Sequence, residues 1–307
     1  MKKILVIGSA NIDITTTVNH FPSVGETILG NTLQHSYGGK GANQAIACGK
    51  LGGDVVFLAC VGDDINGHKL IDNLNKYNVD ISNVKFSKDK PTGTAIISID
   101  KNGDNQIIVV QGANLDCDKQ YIESKESLFK EAEYILLQLE IPFDAVEKAI
   151  ELAAKYNKQV ILNPAPASSK LNKDLYKYIT YMTPNEKESM IMAESEDEDV
   201  LSNAKKLKKT GVENIIITLG SKGSMLYKDE QNIVYISANK VKAIDTVAAG
   251  DCYNGAFVTA LSKGMTEQEA MEYASLASAI AVTRKGAQES IPNEDELDAL
   301  KEIISNK

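Results

Sequence analysis

Residues 55–62 read VVFLACVG, a run without a charged side chain on either face of an extended chain. A strand of this kind must be covered on both sides, which is the situation in a parallel sheet with helices packed on each face. The same pattern recurs outward from it: ILVIG (4–8) before, and YILLQLE (134–140), QVILNPA (159–165) and NIIITLG (214–220) after, with a further strand expected around 179–182. Between them NGHKLIDNLNKYNV (66–79), FDAVEKAIELAAKYN (143–157) and DVLSNAKKLKKTG (199–211) carry helical spacing. The reading is an α/β protein with a mostly parallel central sheet flanked by helices.

Two regions break that rhythm. TGTAIISIDKNGDNQIIVV (92–110) is two β-rich runs around Asn102-Gly103, which suits a hairpin turn, and residues 13–35 alternate Thr, Val and Ile with turn residues at FPSVGE. They predict a small antiparallel sheet projecting from the body of one domain spanning 1–307, with approximately 13–35 and 92–110 forming a lid beside the ligand crevice. Asn11, Asp13, Glu140, Asn163 and TPNEKE (183–188) stand at strand ends, where open α/β sheets bind ligands.

Composition narrows the partners. The 307 residues suffice for one full core, and a formal net charge of -9 lacks the basic footprint of a nucleic-acid binder, so a small molecule is expected. The four cysteines, Cys48, Cys60, Cys117 and Cys252, are far apart and show no metal-ligand spacing, which predicts reduced core residues of a cytoplasmic protein. The opening MKKILVIGSANID predicts a strand rather than a signal peptide, and no apolar run approaches the roughly 20 residues of a membrane span.

YGGKGANQA (37–45) is rich in glycine around one lysine, yet it is no Walker loop: Gln34 stands five before Gly39, and Gly41 follows Lys40 where a hydroxyl would ligate Mg²⁺. GSANID after the first strand lacks the G-x-G-x-x-G of a dinucleotide site, and the 3 histidines (His20, His35, His68) come without a G-x-S-x-G, against a serine hydrolase. AIDTVAAGDCYNGAFVTAL (243–261) is the stronger phosphate candidate. Ala248, Ala249 and Gly250 are small enough for a phosphate to approach the N–H groups of a helix start, and Asp251 falls in the first turn, where the helix dipole favours its charge. A weak base beside an anion hole suits phosphoryl transfer to an alcohol, whose loose transition state relies on positioning and charge stabilisation.

GGKGANQA, NPAPA, TPNEKE, TLGSKG, DTVAAGD and VTRKGAQES, in this order, resemble the ribokinase family, the sugar kinases of the wider PfkB group, over nearly the whole chain. The resemblance implies ATP-dependent phosphorylation of the terminal hydroxyl of a pentose, D-ribose to ribose 5-phosphate. Alternatives are deoxyribose, another sugar or a nucleoside, or a sugar-binding regulatory protein without catalysis. It implies that Asn11, Asp13, Gly39, Lys40, Asn43 and Glu140 bind the sugar, that Asp251 is the base facing its primary hydroxyl, and that Ala248, Ala249 and Gly250 form the anion hole.

By the same resemblance Asn185 and Glu188 form an N-x-x-E motif organising Mg²⁺ through water. Thr218, Gly220, Ser221, Gly223, Gly250 and Ser275, with Asn185, would line the ATP site, and Asp245, Val247, Ala281, Arg284, Gly286 and Ser290 a K⁺ site. A homodimer through the lid is also implied. The commoner family signature is DTTGAGD, so Ala248 stands at a glycine position. Asn185 with Glu188 also reads as a helix-capping box, and ESEDED (194–199) as a solvated helix entry.

Overall fold

The computed structural model describes residues 1–305; the last two residues of the expected 1–307 span lie outside the described residues. Its strands are β1 (Ile4–Ile7), β2 (Asn11–Thr17), β3 (Thr32–Gly38), β4 (Val55–Gly62), β5 (Val79–Asp80), β6 (Val84–Ser87) and β7 (Gly93–Ile99). They continue as β8 (Asn105–Val110), β9 (Tyr134–Leu137), β10 (Gln159–Leu162), β11 (Tyr181–Met182), β12 (Asn214–Thr218), β13 (Ser224–Asp229) and β14 (Asn232–Ile236). The helices are α1 (Lys40–Lys50), α2 (Ile65–Lys76), α3 (Lys119–Ser124), α4 (Glu126–Glu131) and α5 (Phe143–Lys155). Beyond these come α6 (Glu186–Met192), α7 (Val200–Lys209), α8 (Ala249–Ser262), α9 (Glu267–Ala281) and α10 (Glu294–Ser305).

The central sheet runs β14-β13-β12-β11-β10-β9-β1-β4-β5, with β6 also on β4. Its interior pairs are parallel, and only the β12–β13–β14 edge is antiparallel. Val55–Gly62 is buried at every position, as its two-faced apolar sequence requires. Alternate residues feed two cores. Ile4, Val6, Val55 and Phe57 face one built with α1, α8 and α9, while Leu5, Ile7, Val56 and Leu58 face another built with α5 and α7. All four cysteines are buried and unpaired.

The second sheet has the order β3-β2-β7-β8. Its outer pairs are antiparallel as expected, but its central pair β2–β7 is parallel. β2 and β7 are both outgoing strands, and β3 and β8 return to the body; two hairpins that leave the same edge and meet along their outgoing strands must pair in parallel. The strands begin at Asn11 rather than near residue 13 and end at Gly38, so Asn11 and Asp13 belong to the second sheet itself. No helix among the described residues is long and apolar enough to cross a membrane.

Candidate functional site

The glycines of YGGKGANQA fold backbone onto backbone. Gly39 precedes α1 at φ 88, and a Cβ there would stand 2.8 Å from Asn11 N and 2.9 Å from Ala10 Cα. One built on Gly41 would stand 2.6 Å from the Gly8 carbonyl carbon. The loop therefore lies flush on the β1–β2 connection, and α1 starts pointing toward α8. Glu140, three residues past the end of β9, closes the seam: its Oε2 accepts from Ser9 Oγ at 2.5 Å and from Lys40 N at 3.2 Å.

Two consecutive side chains of α1 reach the carboxylate of Asp251. Asn43 Nδ2 donates to Asp251 Oδ2 at 2.9 Å, and Gln44 Nε2 donates to Oδ1 at 3.0 Å. Asp251 lies in the first turn of α8, 8 % exposed. Ala249 N donates to Thr246 O at 3.3 Å and Cys252 N to Ala248 O at 2.8 Å, so of the predicted anion hole it is the N–H groups of Gly250 and Asp251, not that of Ala249, that have no carbonyl partner. A Cβ on Gly250 would meet nothing within 4 Å. Ala248 is left-handed at φ 59, which explains why glycine is the commoner residue at this position and costs about 1 kcal/mol here.

The charges of these segments act on one another. Burial pushes the Asp13 carboxyl up to about 6, with Glu140 and Asp251 adding to it. Burial opposes the charge of the Lys40 ammonium, but Asp251, Glu140 and Glu188 outweigh it and hold its pKa above the ordinary lysine value. Burial raises Glu188, the Asn185 N–H and Lys40 partly offset this, and Asp251 adds to it. Asp13, Lys40, Glu140, Glu188 and Asp251 thus share one electrostatic neighbourhood at the carboxyl end of the central sheet. Asn11 stands beside it, its Oδ1 accepting from Asn114 Nδ2 at 2.7 Å.

Asn185 caps α6 in a complete box, with Glu188 N donating to Asn185 Oδ1 at 2.8 Å and Asn185 N to Glu188 Oε2 at 2.9 Å. A bridge joins Asn185 to Thr218, the start of the loop that carries Gly220 (φ 56), Ser221 and Gly223 (φ 109). A Cβ on Gly223 would fall 1.9 Å from Ile236 O, so its glycine serves the fold, whereas Gly220 has open space. Ser275 is buried in α9, away from that loop in sequence, on the helix whose Ser278 donates to Ala249 O at 3.0 Å.

Asp245 clasps two loops: Oδ1 accepts from Val247 N and Oδ2 from Gly286 N, both at 3.0 Å. Ala281 O accepts from Arg284 N at 3.0 Å, Arg284 pairs with Glu296, and Ser290 Oγ donates to Ala287 O at 2.7 Å. The Asp245 carboxylate and the main-chain carbonyls of these loops are hard oxygen donors of the kind an alkali cation takes, and the half-buried Glu188 carboxylate is of the kind that holds Mg²⁺ through water.

The family described as pfkB family carbohydrate kinase matches residues 1–294. The chain belongs to the pfkB family of carbohydrate kinases. Among relatives of this pfkB chain, a ribokinase of Schizosaccharomyces pombe is 40% identical over 97% of each chain. The crystal structure of a Thermotoga maritima ribokinase superposes with a TM-score of 0.91 at 38% identity, covering 98% of this chain and 100% of that one. An Arabidopsis thaliana ribokinase complexed with ribose and ATP gives a TM-score of 0.91 at 30% identity, covering 97% and 98%.

Several residues of this pfkB site did not stand out in the sequence. Gln44 was visible beside Asn43 inside GGKGANQA, and Gln288 inside VTRKGAQES. Gln138, Asn114 and Asn73 carry no local signal, because their partners lie 94, 103 and 215 residues away.

Proposed function

We propose that this carbohydrate kinase transfers the γ-phosphoryl group of ATP to the 5-hydroxyl of D-ribose, giving D-ribose 5-phosphate and ADP. The observation that carries this reading is Asp251: a carboxylate held by two amides in the first turn of α8, beside unpartnered N–H groups and across from Asp13 and Glu140. Asn11, Asp13, Gly39, Lys40, Asn43 and Glu140 would receive the sugar hydroxyls, and Asp251 would orient the primary hydroxyl and take its proton. The phosphoryl oxygens would meet the N–H groups led by Ala248, Ala249 and Gly250, with the positive end of the α8 dipole behind them.

The nucleotide would lie along Asn185 and the Thr218–Gly223 loop, with Ser275 at its far end. Mg²⁺, reached by Asn185 and Glu188 through water, would neutralise phosphate charge. K⁺ beside Asp245, Val247, Ala281, Arg284, Gly286 and Ser290 would stiffen the approach to α8. The whole forms a single domain in which the second sheet is a lid that shuts over the sugar and excludes water. β8 is exposed along its whole length, and Ile107, Ile108, Val109 and Val110 are 48% to 64% exposed. Such an edge fits a homodimer formed lid to lid. Buried, unpaired thiols fit a cytoplasmic enzyme.

An ADP-release assay across D-ribose, 2-deoxyribose, other sugars and nucleosides tests the reading. D-ribose should give the highest kcat/KM, K⁺ should support higher rates than Na⁺, and Asp251→Asn should lower kcat by about a thousandfold or more while leaving sugar affinity within about threefold. A higher kcat/KM for deoxyribose or a nucleoside would reassign the acceptor. Tight sugar binding without ADP release would make the protein a sensor.

A further inference from the structure

Asp251 sits at the meeting point of two chains of buried amides, and every link in both donates toward it. In one, Asn73 Nδ2 donates to Gln288 Oε1 at 2.8 Å, Gln288 Nε2 to Asn43 Oδ1 at 3.0 Å, and Asn43 Nδ2 to Asp251 Oδ2 at 2.9 Å. In the other, Gln138 Nε2 donates to Gln44 Oε1 at 2.6 Å, and Gln44 Nε2 to Asp251 Oδ1 at 3.0 Å while also meeting Asn163 Oδ1 at 3.0 Å. Gln44, Asn43, Gln288, Gln138 and Asn73 are all at most 8% exposed. Bulk water therefore does not compete for these links.

An amide is a donor at one end and an acceptor at the other, so a chain of amides has a direction. A carboxylate accepts only. With Asp251 at the convergence, both chains can run one way, and turning a single amide would set oxygen against oxygen. We propose that Gln44 and Gln288 are positioning residues for the phosphoryl-transfer reaction: by fixing the polarity of the two amide chains they hold the Asp251 carboxylate in one orientation and in its proton-accepting form.

The proposal rests on the kinase reading for its catalytic meaning but not for its structural content. Gln44 acts on Asp251 directly and shares its other contact with the strand-end Asn163. Gln288 acts through Asn43. Its main-chain carbonyl is in turn anchored by Lys50 Nζ at 2.9 Å, which fixes the loop that carries it. While both donated hydrogen bonds hold the carboxylate, Asp251 takes the hydroxyl proton only late, once the attacking oxygen has bonded to phosphorus and its proton has become acidic.

The test replaces a donor by an acceptor of the same shape. In Gln44→Glu two carboxylates share one pocket and cannot both be charged, and in Gln288→Glu the new carboxylate claims Asn43 Nδ2 and turns Asn43 Oδ1 onto Asp251. The readout is the midpoint at which the ¹³C-labelled Asp251 carboxyl titrates, followed by NMR in the full chain. It should rise by about one pH unit or more in Gln44→Glu, and by less in Gln288→Glu. The acid limb of the kcat profile for ribose phosphorylation should move with it, kcat at pH 7 should fall about tenfold or more, and KM for the sugar should stay within about threefold.

A residue needed only for packing would lower the yield of folded protein and leave the titration unmoved. If the carboxylate variants do not fold, Gln44→Met and Gln288→Met, which conserve volume and remove the donor without adding charge, should still raise the midpoint and lower kcat. An Asp251 titration equal to wild type in folded Gln44 and Gln288 variants overturns the proposal, even in an active kinase. Absence of sugar phosphorylation by the wild-type protein would overturn the function above, and the titration would still decide the amide chains.

Discussion

At Gly250 the protein itself has no need of a glycine. The site in front of it is open, its backbone is helical, and a methyl group there would touch nothing within 4 Å. Gly250→Ala should therefore leave the midpoint of thermal unfolding unchanged or slightly raised, since alanine favours the helix by about 1 kcal/mol over glycine. Under the proposed function the same methyl would stand where the phosphoryl group passes, so kcat should fall by about tenfold or more. A fully active Gly250→Ala enzyme would move the anion hole elsewhere.

Asp13 shows the opposite balance. Burial pushes its carboxyl from the ordinary 3.8 up to about 6, so folding favours the protonated form. The stability this group contributes is complete below pH 3.8 and is lost as pH rises toward 6. Above that the largely buried charge leaves the protein on the order of 3 kcal/mol less stable than a neutral group would. Asp13→Asn should accordingly raise the urea midpoint at pH 7.5 and leave it unchanged near pH 3.5, while weakening sugar binding. Equal effects on stability at the two pH values would show that the carboxylate is not strained by burial.

The elements explain how close packing delivers these side chains. α1 lies so near β1 that Gly41 has no room for a methyl, 2.6 Å from the Gly8 carbonyl carbon, and Gly8 in turn faces Gln138 Oε1. Gly41→Ala must push α1 away from the sheet, so it should cost about 1–3 kcal/mol in urea unfolding and reduce kcat through Asn43 and Gln44. Unaltered kcat would mean that α1 does not set the geometry of Asp251. The capping box of Asn185 and Glu188 combines two uses: it starts α6 cleanly and sets a half-buried carboxylate in the field of Lys40 and Asp251.

Element boundaries show where local pattern was sufficient. VVFLACVG forms β4 from its first residue to its last. YILLQLE stops early at Leu137, the last residue in register with Ile7 and Leu162. Beyond that register Gln138 and Glu140 turn into the site, to Gln44 and to Ser9 and Lys40. Glu140 was legible as a polar residue at a strand end, whereas Gln138, inside the run YILLQLE, carried no local sign of where it turns.

At the scale of the molecule the second sheet carries the clearest unspent surface. Ile107, Ile108, Val109 and Val110 form one exposed strand, and Leu33 on the opposite edge is 66% exposed. Val109→Lys and Ile108→Lys should turn the proposed dimer into a monomer in light scattering, with little change in unfolding of the body. A wild-type monomer at assay concentration would remove the lid-to-lid contact.

The sequence by itself determined the α/β architecture, the two β insertions and the family, because two-faced apolar runs, turn residues and six ordered motifs are all local properties of the chain. Asn43, Asp251, Asn185 and Glu188 stood out as candidates inside those motifs. The tertiary structure alone decided that β2 and β7 pair in parallel, that Ala248 is left-handed, and that Gln44 and Gln288 face Asp251 and Asn43. Those contacts join residues 207 and 245 apart, and a hydrogen bond between distant residues depends on where the sheet and helices place them, which no stretch of sequence near either partner records.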